Sequence, residues 1–190
     1  MNRPAFAPPT VAARVRASLS DPGRPCYGQV GTVDARGLPQ TRTVHLRWLP
    51  ERKTLGFSCH VGSPKWAQLR RNGRISGLFF DAHRGVQWRF GGRVELLDAR
   101  AGADALLDRM WSLMRPDVRA AYWRDRLGRS PAPELARRAP TLGVVVVRPD
   151  LWDLFLLHPK DYTRSTRAVF ARRGASWSAR RVSPLHGGPP

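Results

Sequence analysis

The sequence predicts an α+β protein that is mainly β, folded as an antiparallel barrel of Greek-key type with a few peripheral helices. Short apolar or alternating segments bounded by Gly, Pro, Asn and Asp recur along the chain, as is typical of β-strands. Helical spacing is confined to a segment before the strands, one between them, and one stretch after the fifth strand. Many strands close in sequence, with few helices among them, favour a closed sheet over a layered α/β fold.

The first half of the chain supplies one leading helix and most of the strands. The spacing predicts a helix over 10–19, and the strands follow at Cys26–Val33, Thr41–Leu49, Leu55–His60, Ile75–Phe80 and Val86–Leu97. Ser63-Pro64 has the pattern of a helix start, with Ser at the N-cap and Pro at the first helical position, so a helix should run to Arg71. The pair Gly91-Gly92 inside the fifth strand predicts a bulge or a close approach of backbone.

The second half opens with helices and closes with strands. Leu106, Leu107, Met110 and Met114 form one apolar stripe, which predicts a helix over Ala101–Met114. A short helix at Asp117–Trp123 is expected next. The remaining strands are predicted at Leu142–Val147, Leu151–Leu157, Ala168–Arg172 and Ser176–Val182. We interpret residues 1–190 as one domain with a core of about 10–185 and loose termini.

Charge is the most unusual bulk property of the chain. The formal net charge is +19, with 33 basic residues of which only Lys53, Lys65 and Lys160 are lysines. The arginines are spread along the chain rather than gathered in blocks, so the excess reflects composition, and we do not expect a nucleic-acid partner. A basic surface also suits small anionic ligands.

Location follows from the termini, the cysteines and the hydropathy. No apolar run is long enough to span a bilayer, so no membrane association is expected. Met1 to Pro9 lacks the features of a signal peptide. The two cysteines, Cys26 and Cys59, match no metal-ligand spacing or disulfide framework. These features predict a cytoplasmic protein without a metal site.

Side chains for hydrolytic chemistry are scarce. The five histidines are scattered, and the chain has no nucleophile elbow, phosphate-binding loop or dinucleotide fingerprint. Isolated carboxylates provide no evident acid–base pair. A redox cofactor would explain how an enzyme manages with so little catalytic equipment, since the cofactor carries the chemistry.

Basic residues instead suggest a site for an anion. Arg42 and Arg47 lie on the second predicted strand, and Lys65 lies in the first turn of the helix that Ser63 precedes. A helix N-terminus offers free N–H groups and a partial positive charge, so the set makes a plausible phosphate site. On the fifth strand, Gln87 and Arg89 should point the same way, and an amide there could bind the edge of a heterocycle.

These residues fall in segments that resemble a known family. RTVHLRWL (42–49), LGFSCHVGSPKWAQLRRNGRISGLFF (55–80) and VQWRFGGRVELL (86–97) look like the pyridoxamine 5′-phosphate oxidase family. Its signature is Arg-x-Val on a strand, Ser-x-Lys at a helix start and Gln on a later strand, and all three occur here in order. The resemblance implies an FMN-binding split barrel and a homodimer with flavin at the interface.

The resemblance also implies residue roles. Arg42 and Lys65 would bind the FMN phosphate, and Gln87 would contact the flavin or its ribityl chain. Arg47 would lie near both flavin and substrate. The complete set of flavin contacts it implies is Arg42, Thr43, Val44, His45, Leu46, Arg47, Ser58, Cys59, Ser63, Lys65, Gln87 and Arg167.

Departures from the family concern the substrate. The oxidases carry Arg-x-His-Asp-Arg near the end, whereas this chain has 163–167 (TRSTR), in which only Arg167 matches. A flavin-contacting Trp is replaced near Leu157, and a Gln-Ser pair is missing around 139–140. Three residues match a segment that binds the substrate phosphate and so join Arg47 as substrate candidates: Tyr122, Arg126 and Ser130.

The function predicted is therefore an FMN-dependent oxidoreductase. A small anionic substrate, for example a phosphorylated one, would transfer hydride to the flavin. One alternative is a flavin- or haem-binding split barrel without turnover, with His45, His60 or His158 as candidate haem ligands. A nucleic-acid-binding protein is the remaining alternative and rests on charge alone.

Overall fold

The computed structural model describes residues 8–20, 24–99, 104–124 and 137–184, and the side chains from residue 11. Four α-helices lie in this part of the chain: α1 Pro8–Leu19, α2 Pro64–Arg71, α3 Ala105–Ser112 and α4 Pro116–Tyr122. Eight strands accompany them: β1 Cys26–Val33, β2 Pro39–Leu49, β3 Thr54–His60, β4 Arg74–Asp81, β5 Val86–Leu97, β6 Leu142–Leu156, β7 Thr166–Arg173 and β8 Ser176–Val182. The predicted mainly-β class is confirmed.

Six strands close into an antiparallel barrel. The sheet runs in the order β3-β2-β1-β4-β5-β6-β7-β8, and a further pairing of β3 with β6 joins its ends. Strands β7 and β8 continue the sheet beyond β6 as a hairpin outside the ring. Closure removes the free edges that an open sheet would expose, and the β1–β4 and β3–β6 neighbours give the Greek-key order that was predicted.

Alternation along the strands fills the barrel with apolar side chains. Val44 and Leu46 of β2 and Trp88 and Phe90 of β5 are buried in one cluster, while the residues between them face outward. The helices α1 and α2 contribute to the same cluster from opposite ends of the barrel. Helix α1 lies at the end of the barrel where β4 ends, since the Ser18 hydroxyl donates to Asp81 there. Helix α2 lies at the other end, where β3 ends and β4 begins.

A second cluster of buried residues lies outside the barrel wall. The apolar stripe of α3 packs there against the outward-facing residues of β6, including Leu142, Val144 and Val146. Tyr122 and Trp123 at the end of α4 pack against this cluster. This second cluster, the outer core, therefore places α3 and α4 beside β6 and its neighbour β3.

Strand β6 corrects one sequence prediction. The expected strands Leu142–Val147 and Leu151–Leu157 form a single strand that continues through Arg148, Pro149 and Asp150. Its first part pairs with β3 and its last part with β7. The pattern break at Pro149 marks this change of partner rather than a loop, because proline is tolerated at an irregularity of the ladder.

The glycine pair of β5 forms the bulge that its sequence predicted. The register shifts between Gly91 and Gly92, with Gly91 opposite Leu151 and Gly92 opposite Pro149. A Cβ at Gly92 would lie 2.3 Å from the Arg148 carbonyl oxygen. The close approach of the β6 backbone therefore explains why no side chain fits there.

Helix boundaries also differ from expectation, and α1 begins at Pro8 rather than at residue 10. Helix α3 ends at Ser112 rather than Met114, and its start is fixed by Asp104, whose side chain accepts a hydrogen bond from Leu106 N–H. The predicted residues 101–103 lie outside the described residues. Helix α4 spans Pro116–Tyr122 instead of 117–123. No helix in the described part of the chain is long and apolar enough to cross a bilayer.

Candidate functional site

The barrel is split between β2 and β3. These strands form a ladder of only three residue pairs, from Leu49–Thr54 to Arg47–Gly56, whereas β1 and β2 pair over eight. Beyond Arg47 and Gly56 the two strands have no ladder, so the edges of β2 at 42–46 and of β3 at 57–60 face an opening. Backbone groups at such an edge need partners from elsewhere. The split therefore offers hydrogen-bonding backbone to a ligand.

Arg42 lies at one side of this split and is held by neutral acceptors. Its guanidinium donates to Thr32 Oγ1 at 2.5 Å and to Gln68 Oε1 of α2 at 2.9 Å. Thr32 Oγ1 in turn donates to Gln68 Oε1. Partial burial lowers the pKa of Arg42. No carboxylate of a described residue forms an ion pair with Arg42, so its charge remains available to an anion.

Lys65 lies in the first turn of α2, close enough to Cys59 of β3 for its charge to act on that thiol. It lies one turn before Gln68 on α2, so the two side chains share a face of the helix. Lys65 is partly buried and forms no ion pair among the described residues. Arg42, which is held by Gln68, and Lys65 are therefore two cations near α2 that have no acidic partner among the described residues. Two such cations beside a helix N-terminus make a positive site of the kind that phosphate favours.

Ser63 departs from its predicted role as a side-chain cap. It occupies the N-cap position with Pro64 next, but its hydroxyl accepts no bond from the helix backbone. Only its carbonyl serves α2, accepting from Trp66 and Ala67 N–H. The Ser63 hydroxyl is buried and, apart from its interaction with the Cys59 thiol, has no partner among the described residues. Its remaining hydrogen-bonding capacity is therefore available to a ligand.

Cys59 and Ser58 point to opposite sides of β3. The Cys59 side chain is buried in the barrel cluster, where burial raises its pKa and the nearby Lys65 and Ser63 partly offset the effect. The thiol is therefore protonated at neutral pH. Ser58 faces outward, and its hydroxyl lies close enough to Tyr122 of α4 to lower the pKa of that phenol. Of these two predicted flavin contacts, Cys59 therefore faces the barrel interior and Ser58 faces the outer surface.

The outer face of β2 carries His45 and Arg47. Arg47 Nη2 lies 3.3 Å from His45 Nδ1, and the His45 ring contacts that of Tyr27 with centroids 5.3 Å apart. Burial and then the Arg47 charge lower the pKa of His45. Burial and the neighbouring Arg109 lower that of Arg47. Arg47 has no ion-pair partner in the described part of the chain, which makes it a third cation beside the split.

Tyr122 is the only predicted substrate residue besides Arg47 that can be located, since Arg126 and Ser130 lie outside the described residues. Its ring stacks on His60 with centroids 6.1 Å apart and meets Trp111 edge-on. Burial raises the pKa of Tyr122 to about 12, and the nearby Ser58 hydroxyl offsets part of this effect. The phenol therefore borders the outward side of the split as a neutral group.

Stability at alkaline pH tests this environment of Tyr122. The folded chain keeps a proton that the unfolded chain releases above pH ~10, so Tyr122 favours unfolding increasingly between about pH 10 and about pH 12. Between about pH 8 and pH 11, we expect wild-type protein to lose about 1 kcal/mol more stability than Tyr122→Phe, measured by denaturant unfolding. Parallel stability profiles for the two proteins would show that Tyr122 is not in this environment.

Gln87 and Arg167 lie away from the split of their own chain. Both face outward and flank the same residue, Phe155, in the β5–β6–β7 ladder. Arg167 is fixed by two bonds to the buried carboxylate of Asp153, at 2.9 and 2.6 Å, and this raises the Arg167 pKa. Gln87 is three strands from Arg42 in the sheet order. One chain alone therefore does not bring all the predicted flavin contacts together.

The sequence reasoning missed Thr32 and Gln68, which hold Arg42 in place. Gln68 is one helical turn from Lys65, and this spacing was the available signal. No sequence signal pointed to Thr32, because its place beside Arg42 follows from the β1–β2 register. The haem candidates are separated, with His45 on β2, His60 at the end of β3 and His158 in the loop after β6. Each has its Nδ1 in contact with a neighbouring donor.

Fold and site together define a six-stranded split-barrel protein with a cationic cleft at the split. The pyridoxamine 5′-phosphate oxidase family model matches residues 14–154. The chain belongs to the pyridoxamine 5′-phosphate oxidase family. A search of curated proteins gives no match.

Solved structures support the same fold. A pyridoxamine 5′-phosphate oxidase-related, FMN-binding protein from Nostoc punctiforme PCC 73102 superposes with a TM-score of 0.71 at 20% identity, covering 97% of this chain and 100% of that one. PhzG from Burkholderia lata 383, solved with tetrahydrophenazine-1-carboxylic acid, gives 0.73 at 19% identity, covering 97% and 98%. The likeness extends over whole chains, so the predicted split-barrel fold is confirmed.

Proposed function

We propose that the cleft binds FMN and that the protein is an FMN-dependent oxidoreductase. The observation that carries the proposal is the pair of partly buried cations, Arg42 and Lys65, that have no carboxylate partner among the described residues. A buried charge without a counter-charge is costly, and a phosphate would compensate both. The Nostoc protein, described as FMN-binding, shares the fold and supports this choice of ligand.

The remaining features of the cleft fit the other parts of FMN. The open edge of β2 at 42–46 offers backbone donors and acceptors suited to the polar rim of a flavin ring. The buried Ser63 hydroxyl lies beside Lys65 and can donate to a phosphate oxygen. The residues present therefore fit the cofactor. When bound, FMN supplies two-electron redox chemistry, and the chain holds it, orients it and limits its contact with water.

We place the substrate beside Arg47 and Tyr122. Arg47 is a fixed cation on the outer side of β2, and it would attract an anionic substrate to the exposed side of the cleft. The neutral Tyr122 hydroxyl can hydrogen-bond a polar group of that substrate. The substrate class we propose is a small anion that loses a hydride and a proton. The stretch 163–167, which departs from the oxidases, gives no support to pyridoxamine phosphate in particular.

The predicted flavin site also requires a second copy of the chain. Gln87 and Arg167 lie three or more strands from Arg42, so they can contribute to a flavin site only through a partner molecule. Their surroundings include the exposed apolar side chains Phe80 and Tyr162, with exposed fractions of 49% and 50%. Apolar groups in such positions suit an interface. We therefore propose a homodimer with the cofactor between its subunits.

Binding of two flavins that differ only in the phosphate tests the proposal. We expect FMN to bind at least about 100-fold more tightly than riboflavin, because riboflavin leaves Arg42 and Lys65 without an anion. Flavin fluorescence quenching measures both affinities. Lys65→Met should reduce the ratio of the FMN affinity to the riboflavin affinity. Arg71→Met, an exposed position on the same helix, is the matched control. Equal affinities for the two flavins, or no binding of either, would refute the FMN proposal.

Redox turnover separates an enzyme from a binding protein. Loaded protein should catalyse reduction of its flavin by an anionic donor, seen as loss of the oxidised-flavin absorbance, and Arg47→Met should raise the KM for that donor. A protein that binds FMN but is reduced by no donor from a panel of small anions would instead be a flavin-binding module. Haem titration completes the comparison, because a Soret shift would favour the haem alternative.

A further inference from the structure

A cavity of about 240 Å³ lies where β6 changes its partner strand. β6 pairs with β3 through Val146 and with β7 from Leu151, and Arg148 and Pro149 between these positions border the cavity. Helix α1 covers it with Val11, Ala12 and Val15. The cavity therefore lies beside the point where the sheet continues from the barrel into the β7–β8 hairpin.

Aromatic rings form much of the cavity wall. Trp48 comes from β2, Trp152 from β6, and Phe170 and Trp177 from the β7–β8 hairpin. Such surfaces favour a flat apolar ligand, which they can contact on its faces and edges. An engineered cavity of about 150 Å³ in another protein holds benzene, so this volume accommodates one ring or two fused rings.

The polar part of the wall is cationic. The four cations that line the cavity are Arg52, Lys53, Arg148 and Arg172, and no Asp or Glu is among the lining residues. Glu95 pairs with Arg52 and Arg148 from outside the lining. Within the described residues, Lys53 and Arg172 form no ion pair. The cavity therefore keeps a positive excess that an anion would compensate.

A buried donor without a partner also points to a ligand in this cavity. Arg52 Nε is buried and has no hydrogen-bond partner among the described residues, although the same side chain pairs with Asp104. Lys53, with φ 48°, ends the short 3₁₀-helix Pro50–Arg52, and its N–H donates to the Pro50 carbonyl oxygen. This turn presents the Arg52 and Lys53 side chains at the same cavity. An orphaned donor thus borders a cavity that is lined by cations.

The cavity is distinct from the flavin cleft. It lies under α1, at the end of the barrel where β2 ends and β3 begins. Arg42 and Lys65 lie towards the other end, beside α2 and the end of β3. None of Arg42, Ser63 and Lys65 lines the cavity. Occupation of one site therefore does not require the other to be empty.

We propose that this cavity is a second ligand site, specific for a planar aromatic carboxylate of one or two rings. The rings would lie among Trp48, Trp152 and Trp177, and the carboxylate would accept hydrogen bonds from Arg172 and the free Nε of Arg52. Arginine suits this role because its planar donors match a carboxylate. The inference does not depend on what the flavin cleft binds.

Calorimetric titration with 1-naphthoate tests the site, with uncharged 1-naphthamide as the matched ligand. We expect naphthoate to bind at least about tenfold more tightly than the amide, because only the carboxylate compensates the cations. Arg172→Gln should weaken naphthoate binding about five- to tenfold. Arg173, the next residue of β7, is also exposed but does not line the cavity. Arg173→Gln should therefore change the affinity for naphthoate less than about twofold.

The titration is run on protein saturated with FMN and repeated on protein without FMN. The comparison distinguishes binding in the cavity from binding in the flavin cleft. Equal naphthoate affinity in both states, without release of flavin, supports the second site. Displacement of FMN by naphthoate would place the probe in the flavin cleft and overturn the proposal. Equal weakening by Arg172→Gln and Arg173→Gln would overturn it, as would absence of binding. Thermal unfolding of both variants confirms that each is folded.

Discussion

Arg42→Met should weaken FMN binding about 100-fold, which is roughly 2.7 kcal/mol, while the protein remains folded. The substitution keeps a long apolar stem but removes the only cation that β2 directs towards Gln68. A charge-assisted bond to phosphate is lost, and no other described cation lies between Thr32 and Gln68 to replace it. Equilibrium titration with flavin fluorescence measures the change.

The same substitution affects stability, and a control separates the two effects. Thr32 Oγ1 and Gln68 Oε1 lose a donor in Arg42→Met, which should destabilise the fold by about 1–2 kcal/mol. Gln68→Met removes the acceptor but leaves the arginine charge. It should show a similar fall in the free energy of unfolding, with less than about tenfold loss of FMN affinity. If the two variants bind FMN equally poorly, Arg42 acts by positioning α2 and not through its charge.

Sequence periodicity located most of this fold because the barrel obeys simple alternation. Strands β1, β5 and β8 have the predicted bounds, since each alternates cleanly and is enclosed by turn residues. Alternation failed in β6, where Val144 to Val147 are all buried between the barrel and the outer core. A strand covered on both faces has no polar period, so only pairing partners reveal that it continues through Pro149.

The site was less accessible to sequence reasoning, because it depends on strand register. The residues Arg42, Lys65 and Gln87 could be found from their motifs. Their relative positions could not, since the split between β2 and β3 is a property of where a ladder stops. The aromatic and cationic cavity under α1 draws its lining from six elements and the turn between β2 and β3. No local motif describes such a set.

The packing of α2 on the barrel is the second feature whose mutation should have a large effect. Trp66, which is 3% exposed, packs over Gly143 of β6, next to the pairing of Gly143 with Cys59. A Cβ at Gly143 would lie 2.5 Å from Trp66 Cζ3 and 2.8 Å from Cη2. Only glycine at this position therefore lets the indole reach the sheet, and the indole adjoins Lys65 in the chain.

Trp66→Ala should destabilise the protein by about 3–5 kcal/mol, because it removes a fully packed indole from the core. Gly143→Ala should cost about 1–3 kcal/mol by forcing the ring outward. Both should weaken FMN binding, since Lys65 shifts with α2. Denaturant unfolding gives the stabilities. Gly73→Ala is the matched control, because a Cβ there meets nothing within 4 Å and should be neutral or slightly stabilising.

A double-mutant cycle decides whether the Gly143 effect acts through Trp66. Trp66→Leu provides a smaller side chain that leaves room for the new methyl group. The combination with Gly143→Ala should therefore be less destabilising than the two single changes added together, by about 1 kcal/mol or more. Additive effects would mean that the methyl group disturbs β6 itself, where it pairs with β3. Coupling would instead show that one glycine on β6 sets the height of α2 above the sheet, and with it the position of Lys65 at the split.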